Sequence, residues 1–206
     1  MDTNQITTTK DFQQVFELPQ PVMAGGMPLM DALQRRRSFR HFSEDAISDQ
    51  QLSDLLWAAF GVNKRVEFRD KLGMLTAPTA RNNQEIGLYV FLPSGVYLYD
   101  AWNNILTLVR EGDYRAQAGI QDFYAEVPVA LCLVADFSLM ESYNDEQKAF
   151  YSALDAGYVS QNIYLYCASA GLATVACGRI DRERLHDILK LGDAKAILSH
   201  PIGRNV

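Results

Sequence analysis

The segment Gln34 to Phe42, QRRRSFRHF, places four arginines within six positions of a chain whose formal net charge is −6. Arginine's planar fork matches the oxygens of a carboxylate or a phosphate, and Ser38 adds a hydroxyl among them. A helix beginning at Pro28 would set Arg36 and Arg40 on the stripe of Leu29 and Leu33. Arg35 would then face water in an ordinary surface pair with Asp31, and Arg37 would lean on the apolar surface of Met30. A guanidinium turned towards a core edge requires an anion nearby. Spacing leaves two anions open: a carboxylate of the same chain, or the phosphate of a ligand.

Other chemistries find little support. The chain has no GxxxxGK[ST] loop and no strand-GxGxxG-helix unit, so the common nucleotide folds do not account for a phosphate site. There is no GxSxG turn, and His41, His186 and His200 have no paired nucleophile. His186, in a helix, and His200, at a strand end, read as surface or capping residues. Cys132, Cys167 and Cys177 form no CxxC pair and show no zinc-ligand spacing with the histidines, so no metal is expected. Scattered thiols suit a reducing compartment, and Cys177 reads first as a small buried thiol. The acidic balance argues against a nucleic-acid partner. No apolar run reaches membrane-spanning length, and no basic-then-apolar signal peptide opens the chain. The cytoplasm is the expected address, with a trimmed signal as the other reading.

These residues need elements to hold them. Residues 1–27, polar and then punctuated by Pro and Gly, read as an extended arm before one domain over 28–206. SDQQLSDLLWAAFG is a capped helix, with Ser48 and Gln51 in a capping-box pattern and Gly61 at its end. IGLYVFLPSGVYLYD reads as a hairpin whose Tyr97 and Tyr99 share a half-exposed face. VPVALCLVADF reads as a central strand buried on both sides. From an Asn144 cap to Gly171 runs a long helix with two apolar faces, one through Ala156, Val159, Ile163, Tyr166 and Ala170 and one through Phe150, Leu154, Tyr158 and Leu165. A second subunit would cover the latter. ATVACG, DRERLHDILKL and AKAILSH complete a strand, a helix and a last strand, giving an α+β chain with helices around one mixed sheet.

Four motifs in order, RRRSFRHF, APTARNNQEIGLYVF, DAGYVSQNIYLYCASAGLATVACG and HPIGR, resemble the FMN-dependent nitroreductase family from residue 28 onward. The LPQP and GGM lead-in and the GVYLYD hairpin are similar to its azoline dehydrogenase branch. The resemblance implies a nitroreductase-like α+β fold with a mixed, mostly antiparallel sheet, and the long central helix at a dimer interface. It implies a homodimer with FMN between the subunits and NAD(P)H as reductant. From its R-R-S-x-R motif, Arg36, Arg37, Ser38 and Arg40 would bind the cofactor. Arg36 and Ser38 would take the phosphate and ribityl chain, and Arg40 would lie against flavin N1 and the C2 carbonyl, where a cation favours the reduced ring. Its P-S-x-x-N loop corresponds to Pro78, Thr79, Ala80, Arg81 and Asn82, reaching the flavin from the partner, with Arg81 placed to meet an anionic substrate. Cys177 and Gly178 would pass the ring edge, and Arg204 would close on the phosphate.

The reaction implied is ping-pong hydride transfer from NAD(P)H through flavin N5 to a flat acceptor such as a nitroaromatic or a quinone, with no protein acid or base required. Two alternatives stay open: oxidation of azoline-type rings with oxygen as acceptor, or a flavin-fold binding protein without turnover. The second rests on VACGR, which stands where many members have Pro-Ile-Glu-Gly.

Overall fold

Helix and strand signals that are local in the chain translate directly into elements. The computed structural model describes residues 14–66 and 73–206, so residues 1–13 of the expected arm lie outside the described residues. In chain order the elements are β1 (Val15–Glu17), α1 (Leu29–Arg35), α2 (Asp49–Phe60), β2 (Val62–Lys64) and β3 (Met74–Leu75). Then come β4 (Ile86–Leu92), β5 (Gly95–Asp100), β6 (Ile105–Glu111), β7 (Val129–Ala135), α3 (Asp145–Ala170), β8 (Ala173–Thr174), α4 (Arg182–Leu189) and β9 (Lys195–Gly203).

Seven strands form one sheet in the order β1-β6-β5-β4-β7-β9-β8, while β2 and β3 make a separate ribbon. Every pairing among the described residues is antiparallel. The class is α+β. The last strand, β9, is inserted between β7 and β8, so the β-α-β-α-β order in sequence yields no parallel neighbours.

Strand β7 is buried along its whole length. Its alternate residues divide between two cores, as a pleat requires. Val129, Leu131, Leu133 and Ala135 join α2 and α3, through Leu52, Leu55, Leu56, Ala59, Ala156, Val159 and Ile163. Ala130, Cys132 and Val134 join the opposite layer, with Tyr124, Leu185, Ile188 and Leu189. Leu55 and Leu56, wholly buried, each contribute about 1.5–3 kcal/mol of transfer free energy.

Both expected capping boxes are present, at Ser48–Gln51 and at Asn144–Gln147. Helix α3 stops at Gly171, whose φ of 68° suits a residue without Cβ. At Gly61 the constraint is space instead, since a Cβ would fall 2.3 Å from a Trp57 ring atom.

The hairpin forms as expected, but Tyr97 and Tyr99 are buried rather than half-exposed, each at 7%. Their face of the sheet belongs to the core under α2, and their hydroxyls bond Ser94 and Asn104. A larger departure is α1. It ends at Arg35, and Leu29 and Leu33 lie exposed, so they form no core stripe for Arg36 and Arg40 to extend. The backbone beyond finds partners outside the helix: Phe39 N–H donates to the Thr174 carbonyl and Ser43 N–H to the Arg204 carbonyl.

Candidate functional site

The end of α1 sets the geometry of the arginines. With the chain leaving the helix at Arg36, the segment runs past α3, β8 and the end of β9, and alternate residues meet the same surroundings. Arg36 stacks on the Tyr164 ring, 5.1 Å from guanidinium carbon to centroid. Ser38 Oγ lies 2.9 Å from the Tyr164 hydroxyl. Arg40 lies close enough to Cys177 to favour its thiolate. Arg37 turns back instead, donating to the Gln34 and Arg36 carbonyls at the end of α1. Arg204 is exposed and pairs with Ser43 through an antiparallel bridge. Among the described residues none of Arg36, Arg40 and Arg204 forms a salt bridge with a carboxylate.

The floor is a buried polar link. His200 bonds Ser160 of α3 at 2.8 Å through Nε2 and Thr174 of β8 at 2.9 Å through Nδ1. The residue expected at a strand end is fully buried, because β9 continues through it to Gly203. Burial pushes its pKa down to about 3, so the ring is neutral.

Beside it Cys177 exchanges both backbone hydrogen bonds with Ser199. Its thiol, 6% exposed, sits by the Tyr124 hydroxyl, and burial raises its pKa above the ordinary thiol value against the opposing pull of Arg40. This is a protonated packing thiol. Gly178 follows it at the surface, with open space where a side chain would project and its carbonyl accepting from Arg182 at 3.4 Å. His186 stays at the surface as expected, its ring bonding the Gly192 carbonyl. No cluster of potential metal ligands exists among the described residues.

The Pro78–Asn82 loop occupies a different station. Arg81, Asn82 and Gln84 all adopt left-handed φ, at 54°, 59° and 54°. Such conformations are unfavourable for side-chain-bearing residues and need support. Gln84 N–H donates to Thr79 Oγ1, and its side chain donates to the Gly73 carbonyl and to Asn82. Ala80 N–H donates to Asp155 Oδ2 at 2.7 Å. Arg81 leans over the Tyr143 ring and reaches Ser142 at 3.4 Å. Asn82 Nδ2 is buried and has no hydrogen-bond partner among the described residues.

Asp155 and Glu85, 3% and 1% exposed, bring two carboxyl groups together under this loop. Burial holds Asp155 above the ordinary carboxylate range, while the Ala80 N–H and Glu85 pull it down. Sequence reasoning missed both. The available signal was an acid four residues before Val159, on the buried stripe of α3. Replacing Asp155 with alanine leaves the Ala80 N–H unpaired, which costs about 2–3 kcal/mol by urea unfolding, whereas Asp155→Asn keeps an acceptor and stays within about 1 kcal/mol.

Asp155 and Tyr164 are separated along α3 by roughly 13 Å at about 1.5 Å per residue. One chain thus brings Arg36 and Ser38 to Tyr164, Arg40 to Cys177 and Arg204 to Ser43, and holds Pro78, Thr79, Ala80, Arg81 and Asn82 in a separate loop over Asp155.

Comparison with known proteins gives this arrangement its context. A family model described as the nitroreductase family matches residues 33–204. A relative from Methanocaldococcus jannaschii, named "Putative nitroreductase MJ1384", is 30% identical over 188 residues, covering 86% of this chain and 91% of the relative. A crystal structure titled "putative nitroreductase", from Ralstonia eutropha JMP134, is 39% identical with a TM-score of 0.87, covering 96% of this chain and 92% of that one. The Vibrio harveyi NADPH:FMN oxidoreductase complexed with NAD+ shares the fold at 19% identity and a TM-score of 0.61, over 86% of this chain and 68% of that one. With the matched region reaching from the arginine segment to Arg204, the chain belongs to the nitroreductase family.

Proposed function

We propose that this protein is an FMN-dependent oxidoreductase that passes hydride from NAD(P)H to a flat acceptor such as a nitroaromatic or a quinone. The observation that carries the reading is that Arg36 and Ser38 share Tyr164, Arg40 lies by Cys177 and Arg204 bridges Ser43, while none of the three arginines has a salt bridge among the described residues. Such a group fits a phosphate-bearing cofactor. Bound FMN would supply the hydride chemistry at its N5. The chain's own residues bind and orient it. Arg36 and Ser38 take its phosphate end, with Arg204 closing from β9. Arg40 sets positive charge by the ring, which favours the reduced form, and Cys177 and Gly178 pass the ring edge.

The other half of the site comes from a second copy of the chain. Phe150, Leu154 and Tyr158 on the outer face of α3 are 59%, 45% and 50% exposed, an unusual amount of large apolar surface for one helix. A homodimer packed there would bring the partner's loop, with an Asn82 Nδ2 that has no partner among the described residues, to this chain's arginines. Arg81, carried on that loop, then meets an anionic group of the substrate. Leu154→Arg is expected to convert a dimer into a monomer in sedimentation and to weaken FMN binding at the same time. The three buried free thiols suit the cytoplasm.

The test is an anaerobic titration of FMN-loaded protein with NADH and then NADPH. Rapid bleaching of the flavin absorbance supports the reductase reading and identifies the reductant. Slow bleaching with both would favour the oxygen-linked dehydrogenase. Protein that shows no flavin absorbance after mixing with FMN and desalting would overturn the assignment.

A further inference from the structure

Tyr164 stands where three separate segments meet. It projects from α3 with its ring face under Arg36 and its ring edge against His200, 5.4 Å between centroids at 80°. Its hydroxyl oxygen accepts from the Ala176 N–H at 2.8 Å and lies 2.9 Å from Ser38 Oγ. A phenol oxygen that already accepts still has one proton to donate. Among the described residues the only further partner of that hydroxyl is Ser38 Oγ. Donation can then run from the Ala176 N–H to Tyr164 and on to Ser38; the reverse, with Ser38 donating to the second lone pair of the phenol oxygen, would leave FMN affinity undiminished in Tyr164→Phe. In the first arrangement Ser38 accepts from Tyr164, and its own proton is left to point out of the segment.

We infer that Tyr164 is a positioning residue for the cofactor, orienting Ser38 as an outward donor and holding Arg36 over its ring face. The inference rests on the function proposed above and deepens it. Its consequence is that one side chain, alongside the Phe39 N–H bond to the Thr174 carbonyl, ties the arginine segment to the Ala176–Gly178 segment. Among the described residues neither segment reaches the other through its own side-chain hydrogen bonds. The phosphate-facing donors would otherwise depend on an exposed serine with free rotation about its side-chain bond.

Tyr164→Phe isolates the hydroxyl, because it keeps the ring beneath Arg36 and the packing against His200. FMN binding by fluorescence quenching is compared for wild type, Tyr164→Phe, Ser38→Ala and the double variant, with riboflavin as the probe that lacks phosphate. Tyr164→Phe is expected to raise the FMN Kd about tenfold. The double variant should bind FMN within about twofold of Ser38→Ala alone, because the tyrosine acts through the serine. Riboflavin binding should change less than FMN binding in each case. A Tyr164→Phe protein with wild-type FMN affinity overturns the inference. So do losses that multiply in the double variant, or an equal loss for riboflavin. Wild-type protein that takes no FMN overturns the proposed function along with it, whereas wild-type binding with an indifferent Tyr164→Phe overturns this inference alone.

Discussion

Arg36→Ala is expected to weaken FMN binding roughly thirtyfold, measured by flavin fluorescence, while leaving the unfolding midpoint nearly unchanged. Hydrogen bonds between a guanidinium and a phosphate contribute about 1.5–3 kcal/mol, and each 1.4 kcal/mol is a factor of ten in affinity. The stability side follows from what Arg36 lacks. It forms no salt bridge among the described residues, so its removal forfeits only its stacking on Tyr164. That stacking is worth about 0.5–1 kcal/mol at a partly exposed site. Arg36→Lys should recover only part of the affinity, since an ammonium is a point charge and cannot make the two parallel bonds of the fork. A chain whose midpoint falls while FMN affinity holds would mark Arg36 as a structural residue and remove it from the site.

The second large effect is acid sensitivity centred on His200. In the unfolded chain its imidazole takes a proton near the ordinary value of 6.5, but in the folded chain only near pH 3. The unfolded state thus binds the extra proton throughout that interval, and folding stability falls as pH drops through it. Above pH 6.5 the contribution is complete. Between pH 6.5 and 5 the loss amounts to about 2 kcal/mol. Urea unfolding at pH 7.5, 6 and 5 measures it directly. His200→Gln, which can keep partners in Ser160 and Thr174, should lack that part of the slope even if less stable at neutral pH. An unchanged slope in the variant would mean that other groups carry the acid response. Asp155 works in the opposite sense: its carboxyl, raised by burial, favours the folded state towards acid, so Asp155→Asn should steepen the acid loss.

Both predictions turn on residues that sequence reading treated unequally. The arginine segment was conspicuous because four like charges close together in an acidic chain demand an explanation. Its composition called for an anion, but its shape was misread. Helical spacing assumes that the helix continues, and whether it does depends on carbonyls of Thr174 and Arg204 far along the chain. His200 was misread as a surface or capping residue, and the Asp155–Glu85 pair was missed, for the same reason. Their burial is decided by α3 packing across β8, β9 and the loop, and only Asp155 has a local signal of it, its place on the stripe of Val159. What could be read was what is local. The two capping boxes, the tight hairpin turn, the αL glycine ending α3 and the continuous apolar run of β7 are each specified within a few residues. The two apolar faces of α3 were also legible, because 3.6-residue periodicity needs no partner to be visible. Tyr97 and Tyr99 show the limit of that approach. Alternation located their common face, but the cover supplied by α2 comes from elsewhere in the chain.

The insertion of β9 between β7 and β8 also governs how the chain must be made. Until β9 arrives, β7 presents an open edge of seven apolar or small residues, VALCLVA, with no charge and no proline to deter a stranger. Leu131 cannot meet its register partner His200 until the whole of α3 and α4 has been looped out between them. Sheet closure is accordingly a slow, long-range event, and the waiting edge is a template for intermolecular pairing. Refolding yield should therefore decline as protein concentration rises, a kinetic hazard that the finished molecule, with that strand paired on both edges between β4 and β9, no longer displays.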